Sequence, residues 1–150
     1  MVYLLVQLIV LVFLSVQTAP AQDYAAGSVQ HGTITVVVTG FENDQGVVKL
    51  SMCQSEDEYQ NKIPPFCAAS KKLKNRTAKW TLKNIPYGSY SIKVFHDENA
   101  NGKLDTNVLG MPIERYGFSN QARGQFGPPP FSRAAFTLNS PHKEITIQVQ

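Results

Sequence analysis

Charge is missing from the start of this 150-residue chain: no Asp, Glu, Lys or Arg precedes Asp23. The apolar stretch from Met1 to Val16 is broken only by Gln7 and Ser15, which is shorter than the ~20 residues a comfortable membrane span needs. Cysteine is scarce, with only Cys53 and Cys67, so the chain is neither a disulfide-dense scaffold nor a multi-cysteine zinc site. No sustained helical or heptad periodicity occurs, which excludes a coiled coil or helical bundle. Phosphate loops, dinucleotide fingerprints and a Gly-x-Ser-x-Gly elbow are also missing. Acids are absent from Tyr59 to His96, while Lys62, Lys71, Lys72, Lys74, Arg76, Lys79, Lys83 and Lys93 all fall there. Lysines on edge strands discourage sheet aggregation, and the same lysines could dock an anionic surface. A net charge of only +3 and no recognised motif argue against a nucleic-acid partner.

What is present begins with Ala19-Pro20-Ala21, a small-x-small pattern ending the apolar stretch. Residues 1–21 read as a secretory signal peptide cleaved after Ala21. The competing reading is an uncleaved anchor, because the usual basic residue before the apolar stretch is missing. Residues 22–31 then form a polar leader and 32–150 the folded domain, periplasmic or secreted, with no membrane span once the signal is removed. Export into an oxidising compartment favours a Cys53–Cys67 bridge, worth about 3 kcal/mol for a loop of this length; two separate buried thiols are the alternative.

Turn signals recur through residues 32–150, and between them apolar residues alternate with a period of two. This predicts an all-β fold, an antiparallel sandwich of about seven strands of immunoglobulin-like or transthyretin-like type. Residues 32–39 and 47–53 read as a hairpin around Asn43-Asp44-Gln45-Gly46. Residues 55–62 read as a short helical turn, and strands are expected at 66–73, 77–85, 133–139 and 142–149. A further strand opens at Pro86-Tyr87-Gly88-Ser89-Tyr90, with Tyr90 anchoring the turn through its hydroxyl. Residues 110–131, with four Gly and four Pro, break the periodicity, and their aromatic content predicts one long ordered loop.

The most specific signal is Asp97-Glu98-Asn99-Ala100-Asn101-Gly102-Lys103-Leu104-Asp105. Oxygen donors at alternate positions and a glycine for the sharp turn match most of a calcium loop: Asp97, Asn99 and Asn101 by side chain, Lys103 by its carbonyl, and Asp105 directly or through water. Val108 stands where a bidentate Glu belongs, and only Glu114 could substitute. Calcium affinity would then be about 10⁻⁴ to 10⁻³ M. The same residues can build an ion-free turn through side-chain to backbone bonds. Arg115, Tyr116, Phe118, Asn120, Arg123 and Phe126 form a candidate surface for a small ligand, glycan or envelope protein. An enzymatic alternative places His96, Asp97, Glu98, Asp105 and Arg123 around one cleft as a hydrolase.

The segments Val94 to Asn107, Gly110-Met111-Pro112, Tyr116 to Asn120, Ala122-Arg123-Gly124 and Phe126 to Pro129 closely resemble an exported bacterial family known as domain of unknown function 2141. The likeness runs from about Thr33 to Val149. It implies a secreted or periplasmic β-sandwich akin to transthyretin-like and carboxypeptidase-regulatory-like modules, which share a Pro-Gly-x-Tyr turn; here one residue is inserted between Pro86 and Gly88. Ala100 and Arg115 stand where the family pattern carries Gly. The resemblance implies no particular activity.

Overall fold

The computed structural model describes residues 29–150; the expected signal peptide and most of the polar leader lie outside them. Eight strands carry the described chain: β1 (His31–Thr39), β2 (Val47–Cys53), β3 (Cys67–Lys71), β4 (Ala78–Pro86), β5 (Gly88–Asp97), β6 (Tyr116–Phe118), β7 (Phe136–Leu138) and β8 (His142–Gln148). They form two sheets. One has the order β4-β1-β8, and the other has β3-β2-β5-β6 with β7 also paired to β5. Alternation fills one continuous core from both sheets: Ile34, Val36, Val38, Trp80, Ile145 and Ile147 from the first, and Val48, Leu50, Met52, Tyr90, Ile92 and Val94 from the second. Among the described residues no helix is long and apolar enough to cross a membrane.

Several expectations need correction. The strands number eight where about seven were expected, and the first and last strands run parallel, Val36 lying opposite Ile145. β1 and β2 are not a hairpin: β1 pairs with β4 and β8, and β2 with β3 and β5. Residues 40–46 therefore pass from one sheet to the other. Alternation alone does not distinguish that crossing from a tight reversal, because both leave polar turn residues between two amphipathic strands.

Cys53 and Cys67 are unpaired thiols. The register explains why: Cys67 lies opposite Met52, so it shares Met52's face and packs on the main core. Cys53, one residue on, points to the other face into a second cluster with Tyr59, Phe118 and Ala134. A bridge would require a one-residue slip that turns β2 inside out.

The expected long loop at 110–131 is interrupted by structure. β6 pairs with Lys93–Phe95 of β5, a 3-10 turn spans Ser119–Gln121, and the single-turn helix α2 spans Phe131–Ala134. β6 and β7 lie in succession along the same edge of β5. Ser119 fills the gap between them, its Oγ accepting from Ile92 N at 2.9 Å and donating to Ala134 O at 2.5 Å. Gln121 closes the neighbouring edge of β8, donating to Thr146 O at 2.9 Å and accepting from Gln148 N at 3.2 Å.

The helical turn expected near 55–62 is α1 (Glu56–Tyr59), capped by Ser55 Oγ. Glu58 Oε2 accepts from Gln54 N and Phe66 N, both at 2.9 Å, and so clamps the Pro64-Pro65 loop. Tyr90 anchors its turn as expected, its hydroxyl donating to Pro86 O at 2.7 Å.

Candidate functional site

β5 delivers its last two residues to opposite faces. His96 follows the core-facing parity of Tyr90, Ile92 and Val94; it is fully buried and packs edge-on against Phe41 at 5.1 Å. Its Nε2 donates to Gln45 O at 2.7 Å. Nδ1 lies 3.4 Å from Glu98 Oε1 without forming a directed hydrogen bond. Asp97, also fully buried, lies 4.0 Å from the Lys49 ammonium and turns toward the loop that follows.

That loop is organised by carboxylates accepting from backbone N–H groups. Asp97 Oδ1 accepts from Asn101 N and Oδ2 from Gly102 N, each at 2.9 Å. Gly102 has φ +85, a left-handed conformation that favours glycine. Asn99 and Asn101 each accept from the amide two residues on, at 3.0 and 2.8 Å, the local turn for which Asn is suited. Their Nδ2 groups both donate to Asp105, from Asn99 at 2.6 Å and from Asn101 at 2.9 Å.

Glu114 closes the loop from the far side. It is buried, with Oε1 accepting from Glu98 N and Oε2 from Asp105 N, each at 2.9 Å. Glu114 was legible in the sequence as a spare calcium ligand. Its place as the acceptor that ties both ends of the loop depends on the loop folding back, which spacing does not show.

Beside this loop lies an open cleft of about 250 Å³ lined by Glu42, Glu98, Pro112, Ile113, Glu114, Arg115, Tyr116 and Gln150. Arg115 pairs with Glu42, which holds the Glu42 carboxyl below its ordinary value. Asn43 Nδ2 reaches Glu98 Oε2 at 3.3 Å. Tyr116 N and O bond to the O and N of Gln150 at 3.3 and 3.0 Å, which brings the end of the chain to the rim. Glu42, Asn43 and Gln150 were not legible as site residues, because they come from remote segments without a motif.

The expected surface divides. Arg115 and Tyr116 line the cleft. Phe118 is buried in the second cluster, and Asn120 Nδ2 donates to Ala135 O at 2.7 Å, so both hold structure. Arg123 and Phe126 stand exposed on the segment after β6, Phe126 at 97%. Of the residues named for a hydrolase, Glu98 lines the cleft with His96 Nδ1 3.4 Å from its carboxylate, His96 and Asp97 face opposite sides and do not line it, and Arg123 is on another segment. Among the described residues no group of three or more His, Cys, Asp or Glu is arranged to hold a metal ion.

A family model described as an uncharacterized protein conserved in bacteria (DUF2141) matches residues 36–146. The chain belongs to this family. The match contains β2 to β7, the acidic loop and most of the cleft lining, while Gln150 lies beyond it. No curated protein and no solved structure matches the chain.

Proposed function

We propose that the chain is an exported, non-enzymatic binding module, a two-layer sandwich of immunoglobulin-like or transthyretin-like type. Its working surface is the cleft between the acidic loop and β6. Export rests on residues 1–21, read as a signal peptide. The observation that carries the binding reading is the cleft itself: a concave surface walled by groups already fixed by other bonds, with Glu114 held by two amides and Arg115 by Glu42. The carboxylates that line it, Glu42, Glu98 and Glu114, are each engaged by another group, which favours recognition over reaction. Carboxylates, a guanidinium, an amide and a Tyr ring suit a small hydroxyl-rich ligand, a glycan.

Titration of the isotopically labelled chain with N-acetylglucosamine oligosaccharides tests this. Shifts should appear at Glu98, Arg115, Tyr116 and Gln150, weaken in Arg115→Ala and Tyr116→Ala, and leave the oligosaccharide intact. Shifts confined to other surfaces would contradict the site, and release of shorter sugars would contradict the non-enzymatic reading.

Calcium at Asp97, Asn99, Asn101, Lys103 and Asp105 is the second reading, and the spacing of the donors favours it. The hydrogen bonding favours an ion-free loop, since the Asn99 and Asn101 amides give Asp105 the positive partners that a cation would otherwise supply.

A further inference from the structure

Three loops share one end of the molecule: residues 40–46, 72–77 and 98–115. The register brings them together, with Val47 opposite Asp97 and Val48 opposite Lys71. They are also tied. Asn43 bonds Glu98 at 3.3 Å, and Asp44 accepts from Asn75 N at 3.0 Å and Arg76 N at 2.5 Å.

From this end projects a small hairpin tip, residues 105–113, on which Val108, Leu109, Met111 and Ile113 are 102, 83, 61 and 66% exposed. No charged residue lies between Asp105 and Glu114. The tip is built rather than loose. Ile113 N donates to Asp105 O at 2.9 Å, Asn107 N to Met111 O at 2.8 Å and Gly110 N to Asn107 O at 2.9 Å. Asn107 Oδ1 accepts from Leu109 N at 2.9 Å and Met111 N at 3.1 Å. Pro112 has no N–H to satisfy. Five of the eight backbone N–H groups of the tip are therefore paired within it, which lowers the penalty for placing backbone in an apolar medium.

The charges at this end are unequal in availability. Glu42 is paired with Arg115, while Asp44, Glu98, Asp105 and Glu114 keep their charge but are directed onto amide donors within this end. Lys72, Lys74, Arg76 and Lys103 are exposed, and among the described residues none has a carboxylate within ion-pair distance. An exposed apolar tip at the same end as these exposed cations is complementary to a bilayer surface that carries negative phosphates.

We propose that this end docks on an anionic phospholipid bilayer, the Val108–Ile113 tip seated among the headgroups and Lys72, Lys74, Arg76 and Lys103 against the phosphates. The tip shares Pro112 and Ile113 with the cleft wall, so the probe is placed on Leu109, which does not line the cleft.

The test reads the tip alone, since the apolar first 21 residues can seek lipid themselves. A polarity-sensitive fluorophore is placed on Leu109→Cys in the full chain with Cys67→Ser; Cys53 is fully buried. A control probe sits on Asn139→Cys, at the opposite end. On phosphatidylcholine vesicles containing phosphatidylglycerol, the residue-109 emission should move to shorter wavelength while the control does not. Lys72→Glu, Lys74→Glu and Arg76→Glu together should raise the lipid needed more than tenfold, at roughly fivefold per cation. Unchanged residue-109 emission overturns the proposal and leaves the tip to a protein partner. A shift equal on pure phosphatidylcholine and untouched by the triple substitution also overturns it.

Discussion

Tyr59 shows how one buried hydroxyl sets part of the pH response. Its ring packs against Phe118 and Phe131 with Lys93 above it at 5.3 Å, and its hydroxyl is buried with no hydrogen-bond partner. Burial pushes the Tyr59 phenol and the Cys53 thiol above their ordinary values of 10.0 and 9.0, and burial holds the Lys93 ammonium below 10.5. The folded state keeps the thiol and phenol protons that the unfolded chain gives up, so these groups lose stability as pH rises past about 9 and then 10. Lys93 acts in the opposite sense, since its folded form releases its proton first. The two acids, joined by Tyr90, whose phenol burial also raises, should outweigh it, and urea unfolding should show stability falling above pH 9. Tyr59→Phe removes an unpaired buried hydroxyl and should add about 1 kcal/mol at pH 7. It should also flatten the decline above pH 10. A destabilised Tyr59→Phe would mean that the hydroxyl has a partner.

Among elements, what could be read from sequence was whatever depends on neighbours in the chain. The alternation of β1 and β8, the Ser55-capped turn, and the Tyr90 anchor need only local spacing, and each was legible. The partners of β1 were not, because its sheet is completed by β4 and β8 far along the chain. The Cys53–Cys67 expectation failed for a similar reason: sequence gives two thiols, whereas cross-strand register decides their faces. β6 was hidden within a Gly- and Pro-rich stretch. Three residues are too few to show alternation, and Gly117 is required where a Cβ would meet Ile147 Cγ2 at 2.7 Å. At the candidate site, the Asp97 to Asp105 loop could be read from its spacing, but the cleft could not, as its walls come from four separate segments.

The crossing at 40–46 also depends on a close approach. Gly46 has φ +62, and a Cβ there would lie 2.1 Å from Asp97 O. Gly46→Ala should therefore cost more than about 2 kcal/mol, combining left-handed strain with a backbone clash. Thermal unfolding measures it, and a loss under about 0.5 kcal/mol would contradict this packing.

For the whole molecule, location and binding are separate questions. If residues 1–21 are a signal peptide, protein recovered from the periplasm or medium of a bacterial host should begin at Gln22 by intact mass. A product in the membrane fraction that keeps Met1 to Ala21 would contradict cleavage and favour the anchor. The central claim concerns the loop end, held as a finished scaffold by Asp97, Glu114 and the two asparagines, with the cleft as its product. The most direct measurement is thermal unfolding in millimolar calcium and in chelator, beside Asp97→Ala, Asp105→Ala and Glu114→Gln. Since a ligand that binds only the folded state must raise the midpoint, the account predicts equal midpoints in the two buffers. It also predicts that Glu114→Gln loses about 2 kcal/mol in both, as a charged acceptor of two amides is weakened. A calcium-dependent rise abolished by Asp97→Ala and Asp105→Ala, with Glu114→Gln neutral in chelator, would contradict it.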